Sequence, residues 1–243
     1  KPDVTLSILK NSSQDKGLQK VYYNENVYRP ASGGSSFQEI MQSGLECIGD
    51  LDGFAVGEVV MLAARSLELI RGDYLLDLSH LGIVAGLLAP LGLDSEGERA
   101  LLRAMGEKNT PALRDLGTQF HLPEADTARL CRLALLYGTP GQILPELQEL
   151  TGGVPAAQQA LAELAELCAL LGQYGLSDNL RLDFSIVNDM NYYSGIIFRG
   201  YLPGLARWSP FHGAAWAVVE SLSRLLAMGV DSLVARLTFQ EYF

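Results

Sequence analysis

The sequence predicts an α+β protein in which an antiparallel sheet is flanked by helices and interrupted by a helical insert. Three observations support this fold class. Strand-like segments rich in Val and Tyr lie on both sides of a long Leu- and Ala-rich run. Prolines and a glycine divide that run into short helical pieces. The strands and helices do not alternate regularly, as they would around a parallel sheet.

The first two predicted strands form a hairpin, LQKVYYNENVYR (18–29) and FQEIMQSGLECIG (37–49). The segment PASGGSS (30–36) between them reads as a hairpin turn, with anion binding as the alternative. Strand side chains alternate between faces, so Gln42 and Glu46 point the same way. We expect a polar face of Gln38, Ile40, Gln42, Gly44 and Glu46, and a core face of Phe37, Met41, Leu45 and Cys47.

The elements that follow complete the predicted fold. Residues 50–71 have helix-starting aspartates and apolar residues at helical spacing, which predicts an amphipathic helix. Residues 73–80 are a short apolar strand, and residues 179–204 resemble a second hairpin with its turn near Asn188–Asp189.

These elements predict four segments along the chain. Residues 1–81 would form the first part of the domain and 82–172 the helical insert. Residues 173–204 would form the hairpin that completes the sheet, and 205–243 an atypical helical tail.

Composition excludes several classes of protein. With 48% hydrophobic residues, the chain of 243 residues is expected to be globular, and a net charge of −10 argues against nucleic acid as a partner. We expect no membrane association, because no apolar run approaches the roughly 20 residues of a membrane helix. Cys47, Cys131 and Cys168 provide neither a disulfide framework nor a metal knuckle, which favours the cytoplasm.

Local motifs predict neither a metal site nor a cofactor site. His80, His121 and His212 lack the spacing of metal ligands, and the sequence has no GxSxG elbow, P-loop or Rossmann glycine pattern. A distributed polar set suits a free amino acid instead, because carboxylates can bind its ammonium and an amide or guanidinium its carboxylate. This set is Asp3, Thr5, Arg29, Gln42, Glu46, Tyr192 and Tyr193.

Four segments resemble histidyl-tRNA synthetase-like proteins. KPDVT (1–5) is similar to their RPE/D-x-T segment, and NVYRP (26–30) and FQEIMQSGLECIG (37–49) to the two strands of class II motif 2. NDMNYYSGIIF (188–198) resembles the histidine-specific motif, approximately RGLDYYTGTVF in the synthetases. The resemblance implies the class II aminoacyl-tRNA synthetase-like fold.

The resemblance also implies roles for individual residues. Asp3, Gln42 and Glu46 would hold the backbone groups of histidine, with help from Thr5. Tyr192 and Tyr193 would shape the imidazole side of the pocket, and Arg29 matches the arginine that contacts the adenylate phosphate.

Two departures from the synthetase pattern imply that the chain is not an enzyme. Asn188 replaces the arginine that begins the histidine-specific motif, and such a loss costs roughly 2.7–4 kcal/mol of transition-state stabilisation. No basic residue lies between Arg29 and Arg65, where synthetases carry residues for ATP and tRNA.

This pattern resembles the family of regulatory subunits of ATP phosphoribosyltransferase, which acts in the first step of L-histidine biosynthesis. The expected partners are L-histidine, as feedback inhibitor, and the catalytic phosphoribosyltransferase subunit, which this chain would activate. We also expect a homodimer within the hetero-oligomeric complex. A fragment of histidine–tRNA ligase is the alternative.

The tail differs from both patterns. Residues 209–243 resemble a piece of phosphoribosylformylglycinamidine synthase, which suggests a chimeric reading frame joined around residues 205–208 and a second alternative function. The competing interpretation is a divergent terminal helix with Ala214, Val218, Leu222 and Leu225 in the core. The chain starts at Lys1, within the first motif, so we expect a fragment that lacks the native N-terminus.

Overall fold

A computed structural model describes residues 4–11, 17–30, 37–187 and 194–203. These residues belong to two compact units, one within Lys1–Tyr74 and Leu202–Phe243 and the other within Leu75–Tyr201. The structure combines helices with sheets in which most strand pairs are antiparallel, which agrees with the predicted α+β class. Of the helices described, none is long and apolar enough to cross a membrane.

The first unit is built on the predicted hairpin. Strands β1 (Gln19–Pro30) and β2 (Phe37–Ile48) pair antiparallel, with Tyr23 opposite Gly44 and Glu25 opposite Gln42. Helix α1 (Thr5–Asn11) precedes them, and α2 (Gly53–Ile70) follows. The Asp52 carboxylate caps α2 by accepting a hydrogen bond of 2.8 Å from the Ala55 N–H, as the aspartates in this segment predicted.

The core face predicted for this hairpin is wrong, because none of its four predicted side chains is buried. Phe37 is 69% exposed and Met41 55% exposed, and Leu45 and Cys47 are only partly buried. Buried Tyr23 and Val27 lie on the other face, with Val4 and Ile8 from α1 and its leading turn packed against them. Alternation grouped the side chains correctly but could not show which face α1 covers.

The second unit contains a four-stranded sheet of order β4-β5-β3-β6. Its strands are β3 (Leu75–His80), β4 (Tyr137–Gly138), β5 (Leu180–Asp183) and β6 (Ile196–Tyr201). The predicted hairpin at 179–204 is wrong, because β5 and β6 do not pair with each other. They lie on opposite sides of β3, with β5 parallel and β6 antiparallel to it.

Helices occupy most of the chain between β3 and β5. They are α3 (Leu81–Leu88), α4 (Ser95–Gly106), α5 (Thr110–Gln119), α6 (Glu124–Leu135), α7 (Pro140–Leu150) and α8 (Pro155–Gln173). Pro111, Pro140 and Pro155 lie in first turns, where a missing N–H costs no helical hydrogen bond. The four segment boundaries predicted from the sequence stay predictions.

The core of the second unit joins its sheet to its helices. Leu76 and Leu78 of β3 are fully buried, as is Phe184 directly after β5. Helices α3 and α8 approach closely: a Cβ on Gly86 would lie 2.8 Å from the backbone nitrogen of Ala157. Glycine is therefore required at position 86 for this packing.

Candidate functional site

Two of the predicted site residues meet in the first unit. Thr5 Oγ1 donates a hydrogen bond of 2.6 Å to Glu46 Oε1, although 41 positions separate them in sequence. Thr5 begins α1 and Glu46 lies near the end of β2, opposite Val21. Both side chains are partly buried, so a negatively charged group lies at the boundary between the interior and water.

A third predicted residue, Gln42, lies on the same strand face as Glu46. Its side chain is buried, and its Nε2 donates a hydrogen bond of 2.8 Å to the Tyr23 hydroxyl. This bond crosses diagonally from β2 to β1, since Gln42 lies opposite Glu25 in the register. The carboxamide therefore has a defined orientation on the face that carries Glu46.

The apolar cluster of the first unit positions these polar groups. Val4, Tyr23 and Val27 are buried together, with Ile8 packed against them. The Ile8 N–H donates to the Val4 carbonyl, which begins the helical turn that carries Thr5. One cluster thus fixes both the tyrosine that holds Gln42 and the helix that presents Thr5 to Glu46.

The side chains of the remaining predicted site residues lie outside the part of the chain that the structure describes. Asp3, Asn188, Tyr192 and Tyr193 lie outside the described residues. Arg29 is in β1 with its backbone opposite Gln38, but its side chain also lies outside the description. The assignments of these five residues stay predictions.

The structure reveals a second polar group, in the second unit, that the sequence did not predict. Asp77 and Ser79 are buried in β3, and among the residues that the structure describes neither Asp77 Oδ1 nor Ser79 Oγ has a hydrogen-bond partner. Asp183, on the same sheet face, accepts from the Ser185 N–H at 2.9 Å and pairs with Lys108 Nζ at 3.2 Å. The sequence did contain one signal of this polar group, because Asp77 is a charged residue within the otherwise apolar strand segment YLLDLSH.

Burial, followed by repulsion from Asp183, raises the pKa of Asp77 to about 6 from an ordinary 3.8. The folded state therefore binds a proton at Asp77 more tightly than the unfolded state does. Stability from this group is fully present below pH 4 and is lost as the pH rises through 6. The difference between the two pKa values corresponds to about 3 kcal/mol.

Asp77→Asn should stabilise the protein at neutral pH, because it removes a carboxylate that is costly to ionise. Relative to the parent chain, we expect no gain near pH 4 and a gain of about 1–3 kcal/mol at pH 7. Urea unfolding between pH 4 and 7 measures this difference, with Asp115→Asn on the exposed surface of α5 as the control. A variant less stable than the parent at pH 7 would contradict the prediction.

The buried histidine His80 has a structural role in the second unit. His80 is buried and caps α3: its Nδ1 accepts from the Gly82 N–H at 3.1 Å, and its Nε2 lies 3.2 Å from Glu163 Oε2. Burial lowers the pKa of His80, which favours the neutral imidazole that this cap needs. Within residues 4–11, 17–30, 37–187 and 194–203, no group of three or more His, Cys, Asp or Glu side chains could hold a metal ion.

Comparison with known families identifies most of the chain. The family model described as histidyl-tRNA synthetase matches residues 1–209. That match ends where the tail of foreign resemblance was predicted to begin, and the chimeric origin of residues 209–243 stays a prediction.

Curated relatives carry a more specific name. An ATP phosphoribosyltransferase regulatory subunit from Moorella thermoacetica is 33% identical over 187 residues, which are 75% of this chain and 47% of that protein. The chain therefore spans about half the length of the curated relatives it matches.

Solved structures agree on the fold. A structure from Bacillus halodurans, described as an ATP phosphoribosyltransferase regulatory subunit/histidyl-tRNA synthetase, is 30% identical with a TM-score of 0.71. The match covers 83% of this chain and 53% of the Bacillus halodurans chain. The ATP phosphoribosyl transferase (HisG:HisZ) complex from Thermotoga maritima is 19% identical, with a TM-score of 0.65. The match covers 83% of this chain and 70% of the Thermotoga chain, and at this identity it supports the fold alone. The predicted class II synthetase-like fold is confirmed.

Proposed function

The chain belongs to the histidyl-tRNA synthetase family, and from this membership we propose that it is a non-catalytic regulatory subunit of ATP phosphoribosyltransferase. In this role it binds L-histidine for feedback control and activates a separate catalytic subunit. The name of the relative from Moorella thermoacetica, at 33% identity, supports this function over tRNA charging.

The observation that carries the histidine-binding part is the hydrogen bond of 2.6 Å between Thr5 and Glu46. It joins the KPDVT segment to the returning strand of the hairpin, on the face that also holds Gln42. A carboxylate and an amide on one face suit the ammonium and carboxylate groups of an amino acid. By the family resemblance, Asp3 would join Gln42 and Glu46 in holding the backbone groups of histidine, and Tyr192 and Tyr193 would shape the imidazole side. Arg29 would be available for an anion.

We propose that the chain does not catalyse adenylate formation, because cationic residues that this reaction needs are missing. Adenylate formation builds negative charge on the reacting groups, and preorganised cations stabilise it. Asn188 is neutral where the synthetases have an arginine, and the stretch from Pro30 to Ala64 contains no Lys or Arg. Binding of histidine would thus be retained while its activation is lost.

Regulation requires a difference in affinity. Histidine can inhibit the complex only if it binds the inactive arrangement of the assembly more tightly than the active one. Because this linkage is reciprocal, a ligand that favours the active arrangement of the complex must weaken the binding of histidine to it. We propose that the chain acts as a homodimer in the cytoplasm within that complex.

The test combines two assays of the chain. When the chain is added to a separate catalytic subunit of ATP phosphoribosyltransferase, it should increase the formation of phosphoribosyl-ATP. Added L-histidine should reverse this increase. ATP–pyrophosphate exchange with histidine should be absent. Histidine-dependent exchange would instead favour the histidine–tRNA ligase alternative, and a folded chain without effect on the catalytic subunit would exclude the regulatory function.

A further inference from the structure

We propose that Tyr23 is a positioning residue of the amino-acid site, acting through the Gln42 carboxamide. Tyr23 was not among the residues predicted from the sequence. The inference rests on the proposed histidine-binding function and assigns a new residue to it. Tyr23 need not contact the ligand for this role, because its hydroxyl holds a side chain that does.

The geometry supports a specific contact. Gln42 Nε2 lies 2.8 Å from the Tyr23 hydroxyl, and both side chains are buried. Gly44 lies opposite Tyr23 in the register, so no side chain from that position competes for the space beside the ring. A buried carboxamide held in this way loses little conformational freedom when it binds a ligand.

The position of the hydroxyl is itself fixed by packing. The Tyr23 ring lies in the cluster with Val4, Val27 and Ile8, and this cluster also anchors the turn that delivers Thr5 to Glu46. Tyr23 therefore links the two polar contacts of the site: it bonds directly to Gln42 and packs against the segment that bears Thr5. Removing only its hydroxyl should disturb Gln42 and leave the Thr5–Glu46 contact intact.

The experiment is a double-mutant cycle on the full chain, with L-histidine binding measured by calorimetry. Tyr23→Phe keeps the ring and removes the hydroxyl, and it should weaken binding about three- to tenfold. Gln42→Leu should weaken binding by itself, and adding Tyr23→Phe to it should change the affinity by less than about twofold. Tyr28→Phe removes a hydroxyl from the exposed face of the same strand and should leave binding unchanged.

A spectroscopic readout separates positioning from general stability. The Gln42 side-chain amide protons should exchange with solvent faster in Tyr23→Phe than in the parent chain, while the Tm changes little. The role of Tyr23 would be overturned if the affinity losses of the two single variants added up in the double variant. It would also be overturned if the Gln42 amide protons exchanged at the same rate in Tyr23→Phe as in the parent chain. If the parent chain binds no histidine, the proposed function fails; if Tyr23→Phe binds as the parent does, only this inference fails.

Discussion

Replacing Glu46 with alanine is expected to weaken L-histidine binding by about 1.5–3 kcal/mol, or about 12- to 150-fold. Glu46 is a partly buried carboxylate and accepts a hydrogen bond from Thr5. In the proposed site it would provide a negative charge for the ligand on the strand face that carries Gln42, and alanine would remove both this charge and the hydrogen-bond acceptor. Calorimetric titration measures the loss directly.

Glu39→Ala is the matched control for this variant. Glu39 lies on the same strand as Glu46 but on the opposite face, where Asn26 and Tyr28 donate to it near the surface. Its removal deletes the same charge from β2 and should leave the affinity within about twofold of the parent. Equal losses in the two variants would indicate a general electrostatic effect and contradict a site at Glu46.

The largest loss of stability is expected from Phe184→Ala. Phe184 is 0% exposed and directly follows β5 in the sequence. Two residues later, Ile186 packs with Leu81 and Ile197. Truncating a buried phenylalanine typically costs about 3–5 kcal/mol, because the transfer term and the cavity term add. That is a large share of the roughly 5–15 kcal/mol by which folded domains are stable.

Urea unfolding followed by far-UV circular dichroism measures this effect. Phe54→Ala is the control, because the same side chain at the start of α2 is 58% exposed. We expect this control to lose less than about 1 kcal/mol. Similar urea midpoints for the two variants would mean that the Phe184 pocket collapses around the smaller side chain.

Local patterns predicted single elements better than their pairing. The Val- and Tyr-rich runs on either side of PASGGSS gave the β1–β2 hairpin, and the period of two placed Gln42 and Glu46 on one face. The same logic failed for β5 and β6, because both pair with β3, about 100 residues earlier in the chain. A turn signal near Asn188 cannot reveal a partner that is distant in sequence.

The residues of the candidate site also fall into two groups, those that sequence motifs predicted and those that only the structure revealed. Thr5, Gln42 and Glu46 were found through motif resemblance, and the structure places them on or against one strand face. Tyr23 and Asp77 were missed because their environments depend on tertiary packing. α1 was also not predicted: its seven residues are too few for a periodic signal, and it is anchored by packing on Tyr23 and Val27.

The central place of β3 in its sheet has a consequence for synthesis on the ribosome. β3 ends at His80, whereas its two neighbours begin at Leu180 and Ile196. During translation both edges of β3 therefore stay unpaired until the helices α3 to α8 have emerged. Those helices contain mainly local contacts and can form first, so the sheet should close last. A nascent chain that stalls within the helices would expose an apolar strand, a state prone to aggregation and chaperone binding.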